Sequence, residues 1–401
     1  MKVLFVLPLM SGTGGIQASL LNLLHEIGPD DHDVTICVFG NYISPDTSLP
    51  RWVHVVPGPR TLEYCLADFR SAVGRYPWYE LPRLAGTKAL RRLLGYRRVL
   101  DASLRAFRVP GHFDVAIAYA NDIYVGRSFV GGANDIVRRC VSADRRVAWI
   151  HNDATRHGLD AARSLRTYGA FDAIVNVSHA CKEIFDGIVP AFASKSAVVL
   201  NMMDTTRIQR LALADAPYDE TETFRIVTVA RLDNRQKRLD RVVDACVELK
   251  AAGVGPFSWH VVGGGPDADL LMRRARERGV EDVLTFVGHT SNPFPYVAGA
   301  DLFVLTSDYE AYGMVLAEAL TLGVPVVTTA FPAAREVVAD GQTGLLTGFS
   351  VESLVSAVTG LMADPASLER LRTTIAARPT DNVTARAQLE AVLTGRQVPA
   401  S

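Results

Sequence analysis

The sequence predicts an α/β protein built from two open parallel sheets in series. Three observations carry that expectation. Short β-rich runs alternate with stretches of helical period along the whole chain. Several of those runs are apolar almost without interruption, as strands covered on both faces are. Past residue 200 the alternation begins afresh.

The first run, residues 3–8, feeds a glycine-rich loop containing Ser11, Gly12, Thr13, Gly14 and Gly15. A helix follows, with Ile16, Leu20, Leu23, Leu24 and Ile27 on one face. Further strands are expected at 34–39, 115–120, 146–150 and 173–177. Between them, residues 83–108 carry Arg83, Lys88, Arg91, Arg92, Arg97, Arg98, Arg105 and Arg108 against the single acid Asp101. Leu90, Leu93, Leu94, Leu100, Leu104 and Phe107 hold helical spacing there. One basic amphipathic helix is expected, either packed on the core with a solvated basic face or docked on anionic lipid.

In the second half, strands are expected at 225–230, 258–262, 284–287, 302–305 and 324–328, and helices at 239–251, 268–278, 313–321 and 351–362. The polar, acidic stretch 215–223 reads as a hinge. The expected domains are 1–200 and 201–401, with the last helix free to pack back on the first.

With 401 residues the chain is long enough for two domains, and 48% hydrophobic against 21% charged residues describes a soluble globular protein. A formal net charge of −1 gives no general affinity for nucleic acid. No stretch reaches the roughly 20 apolar residues that span a bilayer. The opening apolar run lacks a small-residue cleavage site after it and reads as a strand rather than a signal peptide. Cys37, Cys65, Cys140, Cys181 and Cys246 are scattered without metal spacing, which suits structural thiols in a reducing, cytoplasmic setting.

The sharpest chemical signal is the segment from Asp308 to Glu318. Glu310 falls in the loop after an expected strand, and Glu318 about one turn into the next helix. Gly313 begins that helix, so amides around Met314 and Val315 are presented to an anion, aided by the helix dipole. Two isolated glutamates at this spacing would be surface acids; between a buried strand and a glycine-started helix, they read as ligand-binding. Arg231 lies just past another strand, and Lys237 is expected to open the helix after it. Together they suit a diphosphate whose charge grows as it leaves. Gly264, in the run Gly263-Gly264-Gly265-Pro266, bends the chain at a third strand end, and His289 follows a fourth. His151 follows the strand 146–150. Gly14 and Gly15 serve equally as a tight strand–helix turn or as a ligand contact. The spacing completes neither a dinucleotide fingerprint nor a P-loop.

These elements resemble the donor domain of retaining GT-B glycosyltransferases of family 4, the glycosyl transferases group 1. The resemblance rests on Ala230-Arg231-Leu232, Lys237, Gly263–Pro266, Phe286-Val287-Gly288-His289, Ala300-Asp301-Leu302, the paired glutamates, Gly323-Val324-Pro325-Val326-Val327 and Gly341-Gln342-Thr343-Gly344-Leu345-Leu346, which run in family order. The family implies two Rossmann-like domains facing across a cleft and sugar transfer from a nucleoside-diphosphate donor, UDP-linked before GDP-linked, with retention at the anomeric carbon. No metal or other cofactor is implied. Arg231 and Lys237 would hold the phosphates, Glu310 the sugar and Glu318 the ribose, with His151 the active-site histidine of the acceptor domain. Gly14 and Gly15 would approach the donor, and main-chain atoms at His289 the base. Leu200-Asn201-Met202-Met203-Asp204 stands where the family has a Pro-Asn-Gly-Val-Asp segment, without its proline and glycine. The implied acceptor is a glycan or lipid-linked sugar of a bacterial cell surface, reached by a cytoplasmic protein or one peripheral to the inner membrane face. A nucleotide-sugar epimerase, or a glycan- or nucleotide-binding module without catalysis, are the competing readings.

Overall fold

A computed structural model describes residues 1–10, 14–40, 43–44, 47, 49–67, 76–125, 128–214, 218 and 223–399. Ser11, Gly12 and Thr13 of the expected glycine loop lie outside the described residues, as does most of the expected hinge (215–217 and 219–222). The chain forms two units, Met1–Met202 with Val383–Ser401 and Met203–Asn382.

In the first unit the strands are β1 (Lys2–Leu7), β2 (Asp33–Phe39), β3 (His54–Gly58), β4 (His112–Ala118), β5 (Ile123–Val125), β6 (Ser128–Val130), β7 (Ser142–Ile150), β8 (Ala173–Asn176) and β9 (Ser196–Val198). Seven of them make one sheet in the order β3-β2-β1-β4-β7-β8-β9, while β5 and β6 pair as a small antiparallel hairpin. All neighbours in the large sheet run parallel. Val3 to Leu7 of β1 and all of β8 are buried, as a sheet covered on both faces requires.

The second unit holds β10 (Phe224–Val229), β11 (Phe257–Val262), β12 (Leu284–Gly288), β13 (Leu302–Leu305), β14 (Val326–Thr329) and β15 (Gly344–Thr347), ordered β12-β11-β10-β13-β14-β15 and again wholly parallel. Its core gathers Ile226, Trp259, Val261, Leu302 and Val304 from the sheet with Val242, Cys246, Leu249, Leu354 and Val358 from flanking helices. Each covered aliphatic side chain contributes about 1.5–3 kcal/mol.

Counted within its own unit, with the hairpin set aside, each sheet has the doubly wound order 3-2-1-4-5-6, the first with one further strand. The direction of winding reverses between β1 and β4 in one unit and between β10 and β13 in the other. Loops leaving such adjacent strands in opposite directions open a crevice at the carboxyl ends, where ligands of these sheets bind.

The single basic helix expected over 83–108 is instead two, Leu81–Leu94 and Tyr96–Leu104. Gly95, at φ 81° and ψ 154°, stops the first and caps the second. Leu84, Leu100 and Leu104 are buried, whereas Leu90, Leu93 and Leu94 are exposed, as are Trp78 and Tyr79 just upstream. No helix among the described residues is long and apolar enough to cross a membrane.

Candidate functional site

At the reversal point of the second unit, the loop after β10 supplies Arg231 to Lys237 and the loop after β13 supplies Thr306 to Glu310. Main-chain bonds sew them together. The Asp308 amide donates to the Gln236 carbonyl at 2.9 Å, and the Thr306 hydroxyl to the Lys237 carbonyl at 2.8 Å. Lys237 and Glu310 meet in a salt bridge, their side chains only 14% and 11% exposed. The Glu310 carboxylate also accepts from the Ser307 hydroxyl at 2.6 Å and the Gln236 amide at 3.2 Å. Desolvating two charges is offset by pairing and by these neutral donors; removing one partner of such a pair costs about 3–5 kcal/mol.

Lys237 does not open the long helix, as the sequence suggested. It ends a short one, Asn234–Lys237, and Arg238 then turns left-handed at φ 50° before the helix Asp240–Ala252. That turn is held by ion pairs from Arg238 to Asp240 at 3.0 Å and to Asp308 at 3.3 Å. Arg241 adds a bond to Asp308 at 2.7 Å and another to the Thr306 carbonyl at 2.8 Å. A strained residue and its clamps thus fix the direction of the lysine before it. Arg231 differs: its side chain is 69% exposed and, among the described residues, pairs with Asp233 alone, at 3.4 Å. Of the two cations, it is the one open to solvent.

The glycine run after β11 explains how the Arg231 loop is seated. A β-carbon at Gly263 would collide with the Ala230 carbonyl and one at Gly265 with the Leu232 backbone. The bare backbones approach closely, and the Leu232 amide donates to Gly264 at 3.0 Å. Gly264 in turn packs beside His289, which is exposed. Gly313 caps the helix Met314–Thr321 at φ 92° and ψ 52°, a conformation that favours glycine. Met314 and Val315 begin that helix, so their amides have no acceptor one turn back. Glu318, half-buried on the same helix, has its carboxyl pushed up to about 7 by burial, with Arg207 pulling the other way.

In the first unit, Gly14 caps the helix Gly15–Glu26, and Gly15 has open space around it. His151, at the end of β7, is 7% exposed, with its ring 4.4 Å from that of Tyr119 and stacked at 6.1 Å on Trp149. Burial lowers its pKa to about 3, so the imidazole is neutral at ordinary pH, and its Nε2 has no hydrogen-bond partner among the described residues. The His151 amide donates to Asn121 Oδ1 at 2.8 Å. Asn201 binds the Ser19 hydroxyl at 2.6 Å, which also meets Tyr119 at 2.9 Å, so this residue braces the first helix.

A family model described as "Glycosyl transferases group 1" matches residues 215–378, nearly the whole second unit. The second unit belongs to the glycosyl transferases group 1. A GDP-mannose-dependent alpha-(1-6)-phosphatidylinositol monomannoside mannosyltransferase of Mycolicibacterium smegmatis is 34% identical over 167 residues, 39% of this chain and 41% of that protein. An N-acetyl-alpha-D-glucosaminyl L-malate synthase of Bacillus anthracis is 24% identical over 343 residues, 84% and 81% of the two chains. The chain therefore spans well under two thirds of the mannosyltransferase and about four fifths of the synthase. The crystal structure of Anabaena HepE in complex with UDP and glucose aligns over 98% of this chain and 99% of its own, with a TM-score of 0.65 at 19% identity. That likeness makes the fold GT-B.

Within the group 1 domain, the structure brings together Lys237, Glu310 and the Gly313 helix start, with Arg231 on the same loop as Lys237. Gly264 and His289 meet at the neighbouring strand ends. Three residues escaped the sequence reading. Ser307 and Gln236 were visible only as loop positions flanking Glu310 and Lys237, and Asn121 only as a polar residue past an expected strand.

Proposed function

We propose that this chain is a retaining glycosyltransferase that moves a sugar from a nucleoside-diphosphate donor, UDP-linked in first place and GDP-linked in second, to a glycan or lipid-linked acceptor. The observation that carries this is the buried Lys237–Glu310 pair beside the helix begun at Gly313, at the reversal point of the second sheet. An arriving diphosphate competes with Glu310 for the ammonium, and the Met314 and Val315 amides add donors from the positive end of the helix. The freed carboxylate then accepts bonds from sugar hydroxyls. Arg231, exposed on the same loop as Lys237, folds onto the same phosphates as a forked donor. Charge growing on the leaving diphosphate is met by two cations, so no divalent ion is required. The acceptor hydroxyl attacks the face the diphosphate leaves and passes its proton to a phosphate oxygen. Neutral His151 serves as a hydrogen-bond partner for a sugar hydroxyl rather than as a charge.

Both nucleotide choices have support among similar proteins: HepE was crystallised with UDP and glucose, and the mannosyltransferase is named as GDP-mannose-dependent. The acceptor belongs to envelope glycan or glycolipid synthesis, as the lipopolysaccharide core glycosyltransferase LpsE of Rhizobium meliloti does by name. A lipid-linked acceptor also gives the segment 81–104 a use. Exposed Leu90, Leu93 and Leu94 lie among Arg91, Arg92 and Arg98, with Trp78 and Tyr79 nearby, a composition suited to an anionic membrane surface.

Thermal stabilisation by UDP, GDP, ADP and dTDP tests the donor, because ligand that binds only the folded state raises apparent stability. One diphosphate should raise the melting temperature, and Arg231→Ala should abolish most of that rise without changing the ligand-free value. Indifference to all four would end the assignment. EDTA should leave turnover unchanged, and co-sedimentation should favour phosphatidylglycerol vesicles over phosphatidylcholine ones.

A further inference from the structure

The carboxyl ends of β4 and β7 hold an unusual concentration of buried polar atoms with nothing to bind. Asn121 is 6% exposed, His151 7% and Trp149 2%. Among the described residues, Asn121 Nδ2, His151 Nε2 and Trp149 Nε1 all lack a hydrogen-bond partner. An unmet buried donor or acceptor costs about 1–3 kcal/mol, so three on adjacent strand ends are a standing penalty unless a ligand relieves it.

The register explains why they gather. Ala118 of β4 stands opposite Ala148 of β7, so three residues on, Asn121 stands beside His151. Tyr119 and Trp149, two residues before each, meet at a tilt with ring centroids 4.9 Å apart, and Tyr119 also meets the imidazole edge-on. An aromatic floor thus lies beneath two polar residues, on the strand next to the winding reversal of the first sheet. Asn121 already spends its acceptor: Oδ1 takes the His151 amide at 2.8 Å. That bond fixes which way the carboxamide is turned and leaves Nδ2, a pure donor, over.

We propose that Asn121 is a second sugar-contacting residue of the first unit, giving its Nδ2 hydrogens to a hydroxyl oxygen of the same sugar ring that His151 meets. It rests on the glycosyl-transfer reading and assigns to Asn121 a role in choosing the sugar: a ring with an acceptor oxygen at that position is held, and one lacking it is refused. Both ends of one carboxamide are then used, Oδ1 to set the His151 backbone and Nδ2 to read the ligand.

Asn121→Asp separates the two uses, because an ionised carboxylate keeps the acceptor for His151 and loses the donor. Asn121→Leu removes both. Each variant is assayed at pH 8 beside the wild type for release of UDP or GDP from UDP-glucose, UDP-N-acetylglucosamine and GDP-mannose, with melting temperature and UDP and GDP binding measured in parallel. The expected result is a loss of about tenfold or more in kcat/KM for both variants, with nucleotide binding unchanged, since the nucleotide is assigned to the other unit. Asn121→Asp matching the wild type would overturn the contact, and a slow Asn121→Leu beside it would reduce Asn121 to a support for His151. A wild type that turns over none of the three donors overturns the glycosyl-transfer reading and this proposal with it, an outcome distinct from equal rates.

Discussion

The candidate sites of the two units handle their polar side chains in opposite ways. In the second, Lys237 and Glu310 are paired with each other and braced by Ser307 and Gln236. In the first, His151, Asn121 and Trp149 are buried yet keep polar atoms without partners among the described residues. The contrast teaches that pre-organisation takes two forms. A charged site waiting for an anion holds a counter-ion that a ligand can displace, because a lone buried charge is too costly. A neutral site can wait unpaired, since the penalty for each group is smaller.

The comparison can be broken by substitutions that treat the units differently. Lys237→Ala should do most damage. It leaves Glu310 buried without its counter-charge and should cost about 3–5 kcal/mol in urea unfolding, with turnover lost by about a hundredfold or more. Lys237→Ala with Glu310→Ala should recover much of the stability and none of the turnover.

Glu318 comes next. Its folded pKa of about 7 lies above the ordinary 4.5, so between those values the folded chain keeps a proton that the unfolded chain has lost. The Glu318 contribution to stability should therefore fall as pH rises from about 4.5 to about 7 and level off above, against an opposing contribution from buried His151, whose pKa is lowered to about 3, and beside one of the same sign from buried Asp122, pushed up to about 7. In unfolding experiments, the stability of Glu318→Gln relative to the wild type should be higher at pH 8 than at pH 5.

Gly313→Ala should cost about 1–2 kcal/mol, the penalty for a side chain in the left-handed region, and should weaken nucleotide binding by disturbing the helix start. The new methyl also presses Leu316 at 3.0 Å. Smallest in stability is His151→Phe, which replaces a ring bearing an unpartnered nitrogen by an apolar one. The expected change is zero or a slight gain, while turnover falls. A large loss of stability would show that His151 is a structural residue and erase the contrast between the units.

Central strands were the most legible part of the sequence, because β1 past Lys2 and all of β13 are apolar runs buried on both faces and β8 is buried throughout. The strands β3, β9 and β15 lie at sheet edges, are short and partly exposed, and Pro57 sits within β3. Their sequences carry no continuous apolar signal. In the second unit, the glutamates, cations and glycines could be read because chemistry and backbone geometry restrict them to few residue types. The turn at Arg238 could not, since an arginine at positive φ is held there by Asp240 and Asp308, an arrangement made only in three dimensions. Asn121 was hidden for a similar reason. One asparagine after a strand is commonplace, and only its bond across to His151 sets it apart.

The return of the chain after Asn382 limits how these units can be exchanged between proteins. The helix Val383–Thr394 is part of the first unit, where Arg386 reaches Glu26 and Asp31, Glu390 meets His32 at 2.8 Å, and Gln388 receives the Leu200 amide. A chimaera spliced at a single point near residue 202 would orphan that helix from the surface it covers. Grafting a foreign second half needs two junctions, one on each side of Met203–Asn382, so that the second unit behaves as an insertion within the first.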